Sequence, residues 1–515
     1  MTCRIHAREP RLVSSYPFSD DGAIVSAFLS DAAHVPGGFA SGVAFPRTEG
    51  EVAAVVSKAH AVLPVGAQSS LTGGATPRGD LVLSTRALTE ITFLESHRVH
   101  VGAGVTLSQL QLQLATHGFY YPPVPTYDGA FIGGTIATNA AGAATFKYGT
   151  TRQWVEALTV VLAEGAVLEV TRGETVTTDG SFEVITPDSV PNAIAIPTYR
   201  MPAVPKLSAG YFAATDMDLV DLFIGSEGTL GIITGAVLRV IDRPVRIVAL
   251  VTCADDRQAL AVTGLLREQG RLAWAGRGPL DVSAIEYMDG RSLRLVPDAA
   301  FDKSAIDRPP QGTVLLLIQM EVTQREEVIW AALADVLDSA GVTGDPLIAA
   351  AGDDRGAQRM FDLRETVPAS VNARVAAAKQ GDDRIEKTAG DFIVPFDALA
   401  PALATYRSIL EDRRLDYAIW GHASDGNLHV NVIPRSFDDV VAGREALIAM
   451  ARQVIAMGGS PLAEHGVGRS AMKQRLLREL YGDAGIDQMR AVKRALDPGN
   501  KLSRGVLFPP ANDGW

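Results

Sequence analysis

Three glycine-rich segments in the first half of the chain constrain its fold more than any other feature. They are Pro64-Val65-Gly66-Ala67-Gln68-Ser69-Ser70-Leu71-Thr72-Gly73-Gly74, Ile132-Gly133-Gly134-Thr135-Ile136-Ala137-Thr138-Asn139-Ala140-Ala141-Gly142 and Gly225-Ser226-Glu227-Gly228-Thr229-Leu230-Gly231-Ile232-Ile233-Thr234. Each mixes glycine with serine, threonine or asparagine. Glycine lets backbone N–H groups turn toward an anion and approach it closely. The hydroxyls and amides add donors, a combination suited to a pyrophosphate. One such segment alone reads as a turn, whereas three together read as a cradle. Gly466-Val467-Gly468-Arg469-Ser470-Ala471 also matches GxGxxA, but Glu464-His465 precede it where a dinucleotide fold needs a buried strand. No P-loop, GxSxG or HExxH occurs.

The patterns around these segments describe an α+β chain. Short apolar runs closed by glycine or proline predict strands at 80–84, 99–102 and 158–162, with amphipathic helices at 49–60 and 107–117. A break comes at Ile241-Asp242-Arg243-Pro244, since proline cannot continue a central strand. Beyond it, strand 245–252, helix 256–269, strand 313–321 and helix 326–340 predict a helix-covered sheet. The stretch 345–359 reads as an exposed connection, and the end of the chain as mostly helical with a proline-rich tail. The expected divisions are a segment 1–41, a domain 42–243, a second domain 244–458 and a C-terminal segment 459–515.

A chain of 515 residues suggests roughly two to four domains. A net charge of -12 argues against a nucleic-acid partner, which would demand a basic face. Local Arg or Lys can still receive an anionic substrate. Cys3 and Cys253 fit no CxxC spacing, which favours a cytoplasmic setting without a disulfide framework. Neither a secretory signal nor a membrane span is expected, and peripheral attachment at the inner membrane stays open.

The strongest chemical signal is Trp420-Gly421-His422-Ala423-Ser424-Asp425-Gly426-Asn427-Leu428-His429-Val430-Asn431. Asp-Gly between alternating residues predicts a two-residue hairpin turn. Ser424 then faces Asn427, Ala423 faces Leu428 and His422 faces His429, with Cβ atoms about 5 Å apart. Asn431 shares that face, while Leu428, Val430 and Val432 point the other way. Two such histidines can ligate one metal ion. Leu462-Ala463-Glu464-His465-Gly466-Val467-Gly468-Arg469 places a carboxylate beside a histidine in a tight turn. Glu464 completes a His₂Glu set with an open position, and His465 is left to act as a general base.

The glycine segments resemble the FAD-binding domain of the vanillyl-alcohol-oxidase superfamily, the p-cresol methylhydroxylase type. The phrase Asp221-Leu222-Phe223-Ile224-Gly225-Ser226-Glu227-Gly228-Thr229-Leu230-Gly231-Ile232-Ile233-Thr234 is especially close to that family's wording. The resemblance implies FAD contacts at Pro64, Val65, Gly66, Ala67, Gln68, Ser69, Thr72 and Gly73. It implies further contacts at Ile132, Gly133, Gly134, Thr135, Ala137, Thr138, Asn139, Ala141 and Gly142, and at Glu227, Gly228, Gly231, Ile232 and Ile233. No His or Cys stands in the first segment or in 122–142, so the implied FAD is non-covalent.

HxxDGNLHxN followed by EHGxG resembles the C-terminal domain of the FAD-linked D-2-hydroxy-acid dehydrogenases. That group includes the cytochrome-type D-lactate dehydrogenases, the D-2-hydroxyglutarate dehydrogenases and the glycolate oxidase D subunit. The likeness runs from about Gly42 to Phe508 and implies a flavin domain followed by a substrate (cap) domain. It assigns His422, His429 and Glu464 to a divalent metal, zinc first, with manganese or iron also accepted by such a set. It assigns His465 to the base and Asn431 to the substrate. In Phe361-Asp362-Leu363-Arg364-Glu365-Thr366-Val367-Pro368, Arg364 is implied to fork onto the substrate carboxylate. Two departures stand out. The family's basic residue before Asp391-Phe392-Ile393-Val394-Pro395 has no direct match, Lys387 being nearest. Ser503-Arg504-Gly505-Val506 replaces Asn-Pro-Gly-Lys.

The implied activity is oxidation of a small 2-hydroxy acid to a 2-oxo acid by hydride transfer to flavin N5. The D preference comes from the resemblance alone. An external acceptor follows, whether quinone, cytochrome, electron-transfer flavoprotein or oxygen, and a homodimer stays open. The alternatives are a non-redox FAD enzyme of the alkyl-dihydroxyacetonephosphate-synthase type and a flavin subunit active only in a complex.

Overall fold

The computed structural model describes residues 3–11, 13, 15–177 and 179–509, so the end of the expected proline-rich tail lies outside it. The first half of the chain builds two main sheets. Phe18–Ser19, Phe39–Ala44, Arg78–Ser84 and Val62–Val65 form a four-stranded sheet in that order, with parallel pairing of 39–44 and 62–65 onto 78–84. Val167–Thr171, Val155–Val161, Ile232–Arg239, Arg98–Gly102 and Ile91–Leu94 form an antiparallel sheet of five. Helices Glu49–Lys58 and Leu107–Ala115 start where Thr48 and Thr106 accept the N–H groups of Glu51 and Gln109. The strands and helices expected from periodicity therefore form here, within a few residues at each end.

The second half is organised by one antiparallel sheet of seven strands. Its order is Leu347–Ala349, Arg246–Cys253, Val314–Glu321, Asp281–Met288, Tyr417–His422, Asn427–Val432 and Thr388–Ile393. Period-two alternation gives this sheet two faces. On one, Ile247, Ala249, Tyr287, Leu316, Ile318, Phe392, Leu428 and Val430 are buried in the main core with residues of helices Asp256–Trp274, Glu326–Ser339, Leu399–Asp412 and Phe437–Ala456. On the other, Leu250, Met288, Leu317, Ala418 and Trp420 pack with Met360, Leu363, Val367 and Val371 of helix Asp354–Lys379. That second face also carries Glu286, His422, His429 and Asp391.

The stretch 345–359 is mostly exposed, as expected, but it is structured and not a bare connection. Leu347–Ala349 adds an edge strand to Arg246–Cys253. From Asp354 the chain is already helical, because the Asp353 side chain accepts from Gly356 N and nucleates the first turn. The chain then returns to its beginning. Beyond helix Ala471–Leu496, Leu502 bridges Val62 and Ser503 N donates to Val62 O at 2.9 Å. Lys501 Nζ donates to Val56 O and Ala163 O, at 2.9 and 3.0 Å.

Candidate active site

The hairpin is longer at its tip than the Asp-Gly signal suggested. His422 pairs with Asn427, Gly421 with Leu428 and Trp420 with His429. Ala423–Asp425 form a single 3-10 turn, closed by Gly426 in the left-handed region at φ 78°. The facing pairs expected for a two-residue loop therefore do not form. The cause lies in Asp425 and Ser424, which fold inward and are buried instead of forming an exposed tip. Register has slipped by two, an even number, so every side chain keeps its face. His422 and His429 become diagonal neighbours, with ring centroids 5.4 Å apart and planes at 87°. A Cβ on Gly426 would meet Val394 O at 2.2 Å. Gly426→Ala is expected to lower stability by at least about 1–3 kcal/mol, read from the midpoint of chemical unfolding.

Glu464 is the centre of the site. Its Oε1 lies 3.5 Å from His422 Nε2, 3.3 Å from His429 Nε2 and 3.6 Å from His465 Nε2. Its Oε2 accepts from Lys206 Nζ at 2.7 Å, and Lys206 also lies 3.2 Å from Asp425 Oδ2. Burial alone would push the Glu464 carboxyl up, but Lys206 and then His422 hold it well below the usual range.

The far nitrogens of the imidazoles face carboxylates. His422 Nδ1 hydrogen-bonds Glu286. His465 Nδ1 lies 3.0 Å and His429 Nδ1 3.6 Å from Asp391. Such outer carboxylates fix ring orientation and leave Nε2 toward the shared centre. Burial works against the charge on His422, yet Glu286 raises its pKa to about 9. Glu286 in turn is lowered to about 2, since His422 and Arg364 outweigh its burial. Asp391, His429, Glu464 and His465 bring ligand atoms within 4.8 Å of one another. With His422 beside them, the donors present fit a divalent cation with nitrogen and oxygen ligands.

The Glu-His turn is pinned from both sides. Asp391 Oδ2 accepts the backbone N–H groups of Glu464 at 2.9 Å and His465 at 3.0 Å. Glu227, from the third glycine segment, accepts those of Val467 and Gly468, both at 2.8 Å. Burial pushes the Glu227 carboxyl up to about 7 against the pull of those two amides. Gly466 and Gly468 take φ of 72° and 57°, and a Cβ on Gly468 would sit 2.2 Å from Thr72 Oγ1. Arg469 N donates to Thr72 O at 3.0 Å, so the first glycine segment is tied to the same turn.

All three glycine segments meet here. Gly225 N and Glu227 N donate to Ile136 O and Ala137 O, at 3.0 and 2.8 Å. A Cβ on Gly228 would be 2.7 Å from Pro64 Cγ. Gln68 and Asn139 hold left-handed turns at φ 56° and 49°. Gly66, Ala67, Gln68, Ser69, Gly134, Ala137 and Thr138 are half-buried along the junction. A Cβ on Gly134 would touch nothing within 4 Å, which leaves backbone free to approach a cofactor. Thr72, Gly73, Thr135, Ala141, Gly142, Ile232 and Ile233 are buried. Gly133 and Gly231 are packed so tightly that a Cβ would fall 2.7 Å from Ala103 Cβ and 2.3 Å from Val160 Cγ1. Loops of this shape fit FAD.

The three expected substrate contacts have different surroundings. Arg364 is buried with Nε and Nη2 each 2.7 Å from Glu286 Oε2, and Nη1 2.8 Å from Glu365 Oε1. Asn431 lies on the histidine face with Oδ1 buried and unpaired among the described residues. Lys387 immediately precedes strand Thr388–Ile393 and is exposed. Sequence reasoning missed Lys206, Glu286, Asp391 and Asp425 as site residues. Only Asp391 and Asp425 lay within quoted motifs, as a strand marker and a turn residue.

Residues 40–171 match the FAD binding domain family, and residues 246–507 match the family of FAD linked oxidases, C-terminal domain. A D-2-hydroxyglutarate dehydrogenase of Xanthomonas citri pv. viticola is 30% identical over 90% of this chain and 89% of its own length. A D-lactate dehydrogenase of Archaeoglobus fulgidus is 27% identical over 90% of each chain. Glycolate oxidase subunit GlcD of Bacillus subtilis is 27% identical over 95% and 94%. Among solved structures, an alkyldihydroxyacetonephosphate synthase shares the fold, with TM-score 0.63 at 16% identity over 97% of this chain and 87% of that one. With both of its halves matched and its relatives aligned nearly end to end, the chain belongs to the FAD linked oxidases.

Proposed function

We propose that this protein is an FAD-dependent dehydrogenase that oxidises a 2-hydroxy acid to a 2-oxo acid with the help of a divalent metal. One observation carries the reading: the turn bearing Glu464 and His465 is joined to the glycine cradle through Glu227 and to the histidine sheet through Asp391. One turn therefore ties the glycine cradle to the cluster of candidate metal donors, which supports a reaction between a flavin and a metal-assisted substrate. The activities named for the relatives support the same reaction class.

FAD, held by the three glycine segments, would supply the hydride acceptor for oxidation at the substrate Cα. A divalent ion held by His422, His429 and Glu464 would lower the pKa of the substrate hydroxyl. His465 takes the hydroxyl proton at Nε2, its Nδ1 being held by Asp391 at 3.0 Å. Arg364 attracts the carboxylate with the donors that Glu286 and Glu365 leave free. The electrons then pass to an external acceptor. No helix among the described residues is long and apolar enough to cross a membrane.

The test is an anaerobic titration of the purified flavoprotein with D- and L-2-hydroxy acids, followed at the flavin band. Bleaching by one acid and its loss after chelation are expected. A yellow protein that no hydroxy acid bleaches would sink the reading.

A further inference from the structure

Glu464 gives its two carboxylate oxygens to different partners. Oε1 faces the Nε2 atoms of His422, His429 and His465, at 3.5, 3.3 and 3.6 Å. Oε2 accepts from Lys206 Nζ at 2.7 Å. The same ammonium lies 3.2 Å from Asp425 Oδ2, in the turn that joins the two histidine strands. One cation therefore ties the Glu-His turn to the tip of the histidine hairpin. Neither Lys206 nor Asp425 has any side-chain exposure, so water does not compete for these contacts.

Lys206 comes from the half of the chain that carries the glycine segments, between strand Pro191–Ala195 and helix Leu219–Phe223. The residues after it are fastened. Asn139 Nδ2 donates to Leu207 O at 3.1 Å and Ser208 Oγ to Thr138 O at 2.8 Å, both in the second glycine segment. Ser208 N donates to Leu462 O at 3.4 Å, close to Glu464 in the chain. At the other end of the ion pair, Asp391 Oδ2 holds the backbone N–H of Glu464 at 2.9 Å. With the backbone fixed at both ends, the carboxylate cannot turn without giving up Lys206.

A carboxylate can offer a metal ion one oxygen or both. A divalent ion among the imidazoles would neutralise Glu464 by itself, and an ammonium alongside only weakens the binding of that ion. What Lys206 adds is direction, because its hydrogen bond occupies Oε2 and leaves Oε1 toward the imidazoles.

We propose that Lys206 is a positioning residue that limits Glu464 to one ligand oxygen and so keeps a coordination position open for substrate. This rests on the reading of His422, His429 and Glu464 as metal ligands. With Lys206 in place, the carboxylate contributes Oε1 alone. Without it, Oε2 turns in as a further ligand and takes a position that the substrate would use.

The test uses the holoenzyme loaded with manganese(II) and measures water-proton relaxation, which reports the water molecules in contact with the bound ion. For a six-coordinate ion, one more protein oxygen lowers those waters from about three to about two, so Lys206→Met is expected to lose about a third of the enhancement per bound ion. A residue that only stabilised the fold or balanced charge would change the unfolding midpoint or the affinity for manganese and leave that enhancement alone. An enhancement per bound ion equal to that of wild type therefore overturns the proposal. Should Lys206→Met fail to fold, the charge-balanced combination of Lys206→Met with Asp425→Asn decides by the same reading: a lower enhancement supports the proposal and an unchanged one overturns it. Wild type that takes up no manganese, or Glu464→Gln that takes up as much as wild type, removes the metal reading and this proposal with it, whereas normal uptake with an unchanged enhancement in the lysine variants removes the proposal alone.

Discussion

Glu464→Ala is expected to abolish metal binding at the proposed site, stop flavin reduction by substrate and destabilise the fold by roughly 3–5 kcal/mol. The stability loss has a specific origin. The Lys206 side chain has no exposure, and its ammonium is held by Glu464 at 2.7 Å and Asp425 at 3.2 Å. Removing Glu464 leaves a buried charge leaning on Asp425 alone. The same deletion takes away the anion on which the three imidazoles converge. Metal content by elemental analysis and the chemical unfolding midpoint give two independent readings. Glu464→Gln should keep the shape and lose the charge, so it too should lose metal. An alanine variant that retains metal and unfolds like wild type would refute both claims.

If His465 is the base proposed above, His465→Gln is expected to slow flavin reduction by about 10²–10⁴-fold, the usual contribution of a general base, with FAD content and bound metal like those of the wild type. His465 is the most accessible imidazole of the three, its side chain 30% exposed against 2% for His422 and 10% for His429. A group that must receive a proton and pass it to water needs that access. Yet His465 also stands among the atoms close enough to ligate a cation. Metal content separates the roles. A variant that loses metal along with activity makes His465 a ligand, and one that reduces flavin at the normal rate removes it from the chemistry.

The relation between hairpin and register explains what the sequence could and could not reveal. Alternation has a period of two, so Trp420–Asn431 showed that His422, His429 and Asn431 share a face even though the turn was misjudged. Turn type depends on whether Ser424 and Asp425 find buried partners, and those partners are far away in sequence: Lys206 for Asp425, and Ile285 N, which donates to Ser424 Oγ at 3.2 Å. Glu286 was illegible for the same reason. It sits in a strand that carries no motif, and only the pairing of Asp281–Met288 with Tyr417–His422 shows what it serves. Arg364 was visible in its motif, but its ion pair with Glu286 was not. The fold was easier to read, since strand and helix patterns are local and proline at 244 and glycine clusters punctuate them.

The return of the chain end to strand Val62–Val65 bears on how the protein is made. Val62 receives its bridge from Leu502 and its amide from Ser503, and Thr72 receives one from Arg469. A ribosome that has delivered all three glycine segments has delivered neither the turn that closes over them nor the residues that edge their first strand. Contacts of such sequence separation form slowly and late. The first strand of the cradle is therefore completed only by residues more than four hundred positions downstream, and a chain cut before Leu502 has a cradle with one side missing.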